Sequence, residues 1–128
     1  MPPTPGEISF QLRFVPTGNR GTRQFVVGLS VGLDVQLQTV FQPAMLRSSI
    51  SARVRDDLIG RGIIKPDSGS RIALSDLRID RQPVPDLGVR VGLTAAVFDL
   101  DGILGADFLR PFSSMHVDLR TWLVRLTP

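Results

Sequence analysis

Hydrophobic and polar residues alternate in several short stretches of this chain, which is the pattern of half-buried β-strands. The first stretch is residues 8–15, where Ile8, Phe10 and Leu12 alternate with polar neighbours. Similar alternation, or a dense run of branched apolar residues, predicts further strands over residues 24–31, 34–41, 71–80, 84–91, 95–100 and 116–126. A slip in the alternation at Ser75-Asp76 predicts a bulge within one of them.

Helical patterns are short. Residues 51–60 predict one helix, because Ser51 is a good N-cap residue and Val54 and Leu58 share a face. Gly60 or Gly62 would end it. Residues 103–109 begin as an apolar strand and continue as a second short helix that ends before a proline. About eight strands with one or two short helices predict an all-β barrel or sandwich.

Length and composition narrow this picture to one small domain. The chain has 128 residues, which is the size of a single ordinary domain. Its 12 glycines and 10 prolines favour many short segments joined by turns over a helical bundle. We expect a flexible, proline-rich tail over residues 1–7 and one domain over residues 8–128.

Charge and residue usage exclude several kinds of function. The net charge is +3, but basic and acidic residues are interspersed and aromatic residues are few, so nucleic-acid binding is not expected. The absence of cysteine and the single histidine, His116, give no basis for a metal or cofactor site. No apolar run is long enough to span a membrane, and no signal peptide is evident. We expect a cytoplasmic protein, and the preference for Arg over Lys is compatible with a bacterial source.

Residues 96–104 resemble the nucleophile motif of haloacid-dehalogenase-type phosphatases. That resemblance implies Asp99 as the nucleophile, Asp101 as the acid–base residue and a bound Mg²⁺. However, only 24 residues follow Leu104, and the sole lysine, Lys65, lies upstream of the motif. The long α/β domain of that family therefore has no room here, and phosphatase chemistry is not expected.

Residues 101–109 resemble the C-terminal signature of retropepsin-like aspartic peptidases. The match is the Leu104-Gly105-Ala106-Asp107-Phe108-Leu109 segment, and it is followed by a strand with the family's pattern. The resemblance implies a closed retropepsin-like barrel with a flap hairpin. Leu104 would then lie on a core strand beside the catalytic loop, Gly105 would allow a close backbone approach, and Asp107 would belong to the same structural motif.

The resemblance also implies an Asp-Thr/Ser-Gly triplet, and its predicted place holds Gln38-Thr39-Val40 instead. Two chains of such an enzyme each supply one aspartate, and the pair shares a proton while activating water. A glutamine side chain cannot take that proton near neutral pH. The resemblance then implies a binding groove without catalysis. Its floor is predicted at Gln38, Thr39, Val40 and Phe41, with Gly69 near the flap tip.

Two other aspartates could restore catalysis. Asp34 lies near the predicted triplet but lacks a following Thr/Ser-Gly. Asp67 begins an Asp-Ser-Gly-Ser sequence, although the proline before it favours an ordinary hairpin turn at or near the flap tip.

Three functions remain open from the sequence. The first is a catalytically inactive retropepsin-like domain that forms a homodimer or binds a peptide or protein. The second is an active aspartic endopeptidase that uses Asp67 or Asp34. The third is a purely structural β domain of a larger assembly.

Overall fold

The structure is a computed structural model that describes residues 6–17, 22–65, 71–92 and 100–128, apart from the side chains of residues 15–17 and 22–24. Twelve strands and two short helices make up these ranges. In chain order they are β1 (Ile8–Gln11), β2 (Arg13–Thr17), β3 (Thr22–Val31), β4 (Val35–Phe41), β5 (Ser49–Ile50), α1 (Ala52–Gly60), β6 (Arg71–Leu74), β7 (Leu77–Ile79), β8 (Gln82–Val84), β9 (Leu87–Val91), β10 (Gly102–Leu104), α2 (Ala106–Leu109), β11 (Ser114–Asp118) and β12 (Leu123–Thr127). The all-β prediction with short helices is confirmed.

The strands form two sheets. A three-stranded sheet has the order β1-β12-β11, and a nine-stranded sheet has the order β6-β9-β5-β10-β4-β3-β7-β8, with β2 paired to β3. Most neighbours are antiparallel, but β10 is parallel to β4 and β5 is parallel to β9. These pairings form an open path through the described residues, and closure into a barrel stays a prediction.

Side chains at alternate positions along the strands are buried in the core, as the sequence alternation predicts. Ile8, Phe10 and Leu12 are all at most 7% exposed, whereas Gln11 between them is exposed. Leu12 separates β1 from β2, and its backbone N–H donates to the Trp122 carbonyl at 2.9 Å. The predicted first strand is therefore two strands, because the chain turns from one sheet into the other at this residue.

The predicted helix at residues 51–60 is present as α1. The Ser51 hydroxyl accepts a hydrogen bond from the Val54 backbone N–H at 3.2 Å, which is the expected N-cap bond. Val54 and Leu58 are buried on one face, and Gly62 follows the helix with a positive φ of 74°. The helix thus packs its single apolar stripe into the hydrophobic core.

Further predicted strands also differ from the structure, and the one predicted over residues 84–91 is divided between β8 and β9. The strand predicted over residues 71–80 is divided into β6 and β7, and Asp76 between them has a φ of 54°. The strand predicted over residues 116–126 is wrong, because this segment forms the hairpin β11–β12. Asp118 makes the turn: its side chain accepts from the Arg120 N–H at 2.8 Å and its carbonyl from the Trp122 N–H at 2.7 Å. The strand predicted over residues 95–100 lies almost wholly outside the described residues.

Candidate functional site

Strand β10 is inserted between β4 and β5, and this insertion defines the candidate site. Leu104 lies opposite Phe41 in the parallel pairing with β4, and Ile103 lies opposite Ser49 in the antiparallel pairing with β5. The Gln42 backbone N–H donates to the Leu104 carbonyl at 2.9 Å. The chain must therefore loop over the end of β10 to pass from β4 to β5, and residues 42–48 form this β4–β5 loop.

Gly105 brings the chain against the backbone of the β4–β5 loop. A Cβ at this position would lie 2.7 Å from the Met45 carbonyl oxygen and 2.9 Å from the Arg47 carbonyl carbon. The neighbouring Ala106 N–H donates to the Met45 carbonyl at 2.7 Å. Only glycine leaves room for so close an approach, which is the physical reason for the Gly in the Leu104-Gly105 motif.

Asp107 fixes the far end of the same loop. Its two carboxylate oxygens accept from the Ser48 backbone N–H at 3.0 and 2.9 Å, and one of them also accepts from the Ser48 hydroxyl at 2.5 Å. Ser48 is only 1% exposed, and its hydroxyl oxygen in turn accepts from the Gly105 N–H at 2.9 Å. The carboxylate of Asp107 thus has a structural task, which is to satisfy the buried polar groups of Ser48.

The β4–β5 loop itself contains no carboxylate. Its sequence is Gln-Pro-Ala-Met-Leu-Arg-Ser, beginning at Gln42. Two of its apolar side chains face outward: Leu46 is 80% exposed and Met45 is 37% exposed. Beside the loop lies an open groove of about 660 Å³, and Val91 and Gly92 at the end of β9 line its other side.

Gln38, Thr39 and Val40 lie within β4, ahead of the loop. Thr39 and Val40 are 1% and 0% exposed, and the Thr39 hydroxyl donates to the Val27 carbonyl at 2.8 Å. Gln38 is half-buried, and its side-chain oxygen accepts from Arg13. Phe41 ends the strand and packs edge-on against Phe10, with ring centroids 5.8 Å apart. That these four residues of β4 line the floor of a binding groove stays a prediction.

The two candidate aspartates that the structure describes, Asp34 and Asp101, lie outside the β4–β5 loop. Asp34 lies in the turn between β3 and β4. It therefore stands at the opposite end of β4, roughly 25 Å from Gln42 at the rise of an extended strand. Asp101 lies just before β10 and accepts from the Gln38 backbone N–H at 2.8 Å and from Arg53 at 3.2 Å. Asp67, Gly69 and Asp99 fall outside the described residues.

The remaining sequence candidates add no second site. His116 is exposed on β11. Within the described ranges, no three His, Asp or Glu side chains are grouped so that they could hold a metal ion. None of the helices described is long and apolar enough to cross a membrane.

The β4–β5 loop is a second candidate position, which the sequence did not single out. The signal was available, because Gln42-Pro43 marks the end of the strand and a loop has to follow it. A triplet placed at residues 38–40 falls inside a strand that is paired on both sides, to β3 and β10. The loop position becomes evident only from the contact between Gly105 and Met45.

Comparison with known proteins identifies the fold. No protein-family model and no curated protein matches the chain. Among solved structures, a retropepsin-like aspartic protease from Rickettsia conorii matches with a TM-score of 0.55 and 20% identity, covering 94% of this chain and 89% of that one. The retroviral protease-like domain of Ddi1 from Leishmania major matches with a TM-score of 0.55 and 16% identity, covering 82% of this chain and 94% of that one. The chain therefore has a retropepsin-like fold, as the Leu104-Gly105-Ala106-Asp107 motif predicts.

Proposed function

We propose that this chain is a non-catalytic retropepsin-like domain that binds a peptide or a second copy of itself. One observation carries the proposal: the β4–β5 loop, which passes over the end of β10 beside the Leu104-Gly105 motif, holds no Asp or Glu. Gln42 is the first residue of that loop, and we infer that it occupies the place at which an active relative needs its aspartate.

The chemistry of aspartic peptidases makes this loss decisive. Hydrolysis needs two carboxylates that share one proton, so that one member activates water while the other polarises the scissile carbonyl. A carboxamide such as that of Gln42 does neither. The nearby carboxylates of Asp101 and Asp107 accept hydrogen bonds from Gln38 and from Ser48, respectively. Both are engaged in holding the loop and its flanking strand, which supports a binding role over a catalytic one.

The groove beside the β4–β5 loop supports peptide binding. Met45, Leu46 and Val91 give it apolar walls, and its volume of about 660 Å³ is within the range of ligand sites. Methionine is flexible and adapts to varied apolar partners. An extended peptide could place one apolar side chain between the loop and the end of β9 without being cut.

The three-stranded sheet supports self-association. Strand β11 is an edge of this sheet within the described residues, and an edge strand exposes unpaired backbone groups. Apolar side chains are exposed here: Met115 is 45% and Leu119 is 72% exposed. A two-fold contact between two such edges would cover both. Sedimentation velocity should then give a dimer, and a purely monomeric protein at every concentration would leave peptide binding as the remaining role.

Cleavage profiling tests the loss of catalysis. The protein is incubated from acidic to neutral pH with a denatured, sequence-diverse polypeptide pool, and new termini are identified by mass spectrometry. Asp34→Asn and Asp67→Asn variants run beside it. We expect no cleavage from any of the three. Cleavage by the wild type that one substitution abolishes would identify an active carboxylate and overturn the proposal.

A further inference from the structure

Four arginines surround a small pocket next to the groove. Arg47, Arg71, Arg90 and Arg110 line it together with Ser48 and Asp107, and its volume is about 110 Å³. They come from the β4–β5 loop, β6, β9 and the residue after α2, respectively. Four positive charges thus face one carboxylate across a cavity large enough for a small anionic group.

The one carboxylate in this pocket is already occupied. Asp107 accepts hydrogen bonds from the Ser48 backbone and hydroxyl. Within the part of the chain that the structure describes, none of the four guanidinium groups forms an ion pair with a carboxylate. All four arginines are exposed at the surface. The pocket therefore has a strong excess of unpaired hydrogen-bond donors.

The strand register places two of these positive charges directly opposite each other. Arg71 on β6 lies directly opposite Arg90 on β9 in the antiparallel ladder. Like charges that face each other across two strands repel and destabilise the pair. A bound anion would remove this repulsion, and the planar guanidinium fork suits a carboxylate, which it can bind with two parallel hydrogen bonds.

The arginine pocket adjoins the groove beside the β4–β5 loop, because the two share lining residues. Arg47, Ser48 and Arg90 line both cavities. The groove beyond them has apolar walls at Met45, Leu46 and Val91. A ligand that fills both cavities therefore needs an apolar side chain followed within a short distance by an acidic group.

We propose that the groove and the arginine pocket together bind an extended acidic peptide, with an apolar side chain between Met45 and Val91 and a carboxylate among the four arginines. This rests on the proposed peptide-binding function and specifies its ligand. The small concave pocket next to an apolar groove favours a peptide over a nucleic acid, which needs an extended basic stripe with aromatic platforms.

Binding of peptide pools tests the proposal. Fluorescent pools of equal length, each containing apolar residues but biased to acidic, neutral or basic composition, are titrated with the protein and followed by anisotropy. We expect the acidic pool to bind best and its affinity to fall with added salt. Equal binding of the neutral or basic pool overturns the acidic preference and leaves peptide binding intact. Binding of no pool removes the peptide-binding function itself, and the acidic preference with it.

Variants locate the binding. Arg71→Gln and Arg90→Gln should each raise the Kd of the acidic pool roughly threefold to fivefold, as expected for an ion pair at an open surface, and the double variant about tenfold. Arg61→Gln is the matched control, because Arg61 carries the same charge but lines a different cavity and pairs with Asp57 on α1. It should leave the Kd unchanged. An acidic-pool affinity that is the same in the double variant and the control overturns the proposal.

A blocking variant gives an independent check without removing an arginine. Gly88 lines the pocket, and a Cβ built on it meets nothing within 4 Å. Because residues two apart on a strand share a face, a side chain at Gly88 points to the same side as Arg90. Gly88→Asp should therefore place a carboxylate in the pocket and weaken acidic-pool binding without lowering the melting temperature. Binding of inorganic sulfate alone, with no peptide preference, would reduce the pocket to an anion site and overturn the peptide assignment.

Discussion

Replacing Gly105 by alanine tests the packing on which the candidate site rests. The added methyl group would lie 2.7 Å from the Met45 carbonyl oxygen and 2.9 Å from the Arg47 carbonyl carbon. Both are backbone atoms of the β4–β5 loop, so neither can rotate away as a flexible side chain could. The loop has to move outward, and this strains the hydrogen bond from Ala106 to Met45, which is 2.7 Å long.

The size of the effect follows from this geometry. Overpacking in a well-filled interior costs roughly 1–3 kcal/mol, and a clash with backbone on one side places Gly105→Ala in the upper half of that range. We expect the free energy of unfolding to fall by about 2 kcal/mol and the melting temperature by roughly 8 °C for a domain of this size. Urea denaturation followed by circular dichroism measures the first quantity, and calorimetry measures the second.

Gly88→Ala is the matched control. A Cβ at Gly88 meets nothing within 4 Å, so the same chemical change is made where no atom is displaced. Its stability should stay within about 0.5 kcal/mol of the wild type. Hydrogen exchange adds a local readout, because the Ala106 amide should exchange faster in Gly105→Ala. Equal stabilities of the two variants would refute the close approach of Gly105 to the loop, and with it the position of the candidate site.

Two further substitutions test how the site is held. Asp107→Asn removes the charged acceptor that pairs with the buried Ser48. We expect the free energy of unfolding to fall by about 1–3 kcal/mol in urea denaturation. An unchanged midpoint would contradict the structural role of this carboxylate. Ser51→Ala removes the N-cap bond to Val54 and should cost about 1 kcal/mol, with Ser51→Asp retaining stability because aspartate also caps a helix; equal losses in both would show that the cap bond is not the cause.

Local patterns in the sequence determined most of the strands and α1. Alternation placed Ile8 and Phe10 in the core, and Ser51 with Val54 and Leu58 defined the helix, because both signals depend on residues that are close in the chain. The turn after Asp118 was missed. Its hydrogen bonds to Arg120 and Trp122 are local, but the apolar residues on both sides read as one continuous strand.

Only the tertiary structure singles out the β4–β5 loop as a candidate site. The spacing along the chain predicts the degenerate triplet at Gln38-Thr39-Val40 and gives no reason to consider Gln42. The insertion of β10 between β4 and β5 places the loop after Phe41, and that insertion joins segments about sixty residues apart. The arginine pocket depends even more on the tertiary structure. Its four arginines lie between positions 47 and 110 of the chain, and strand register and the end of α2 bring them together. No pattern in the sequence carries that convergence, since it depends on which strands are neighbours and on which face each arginine lies.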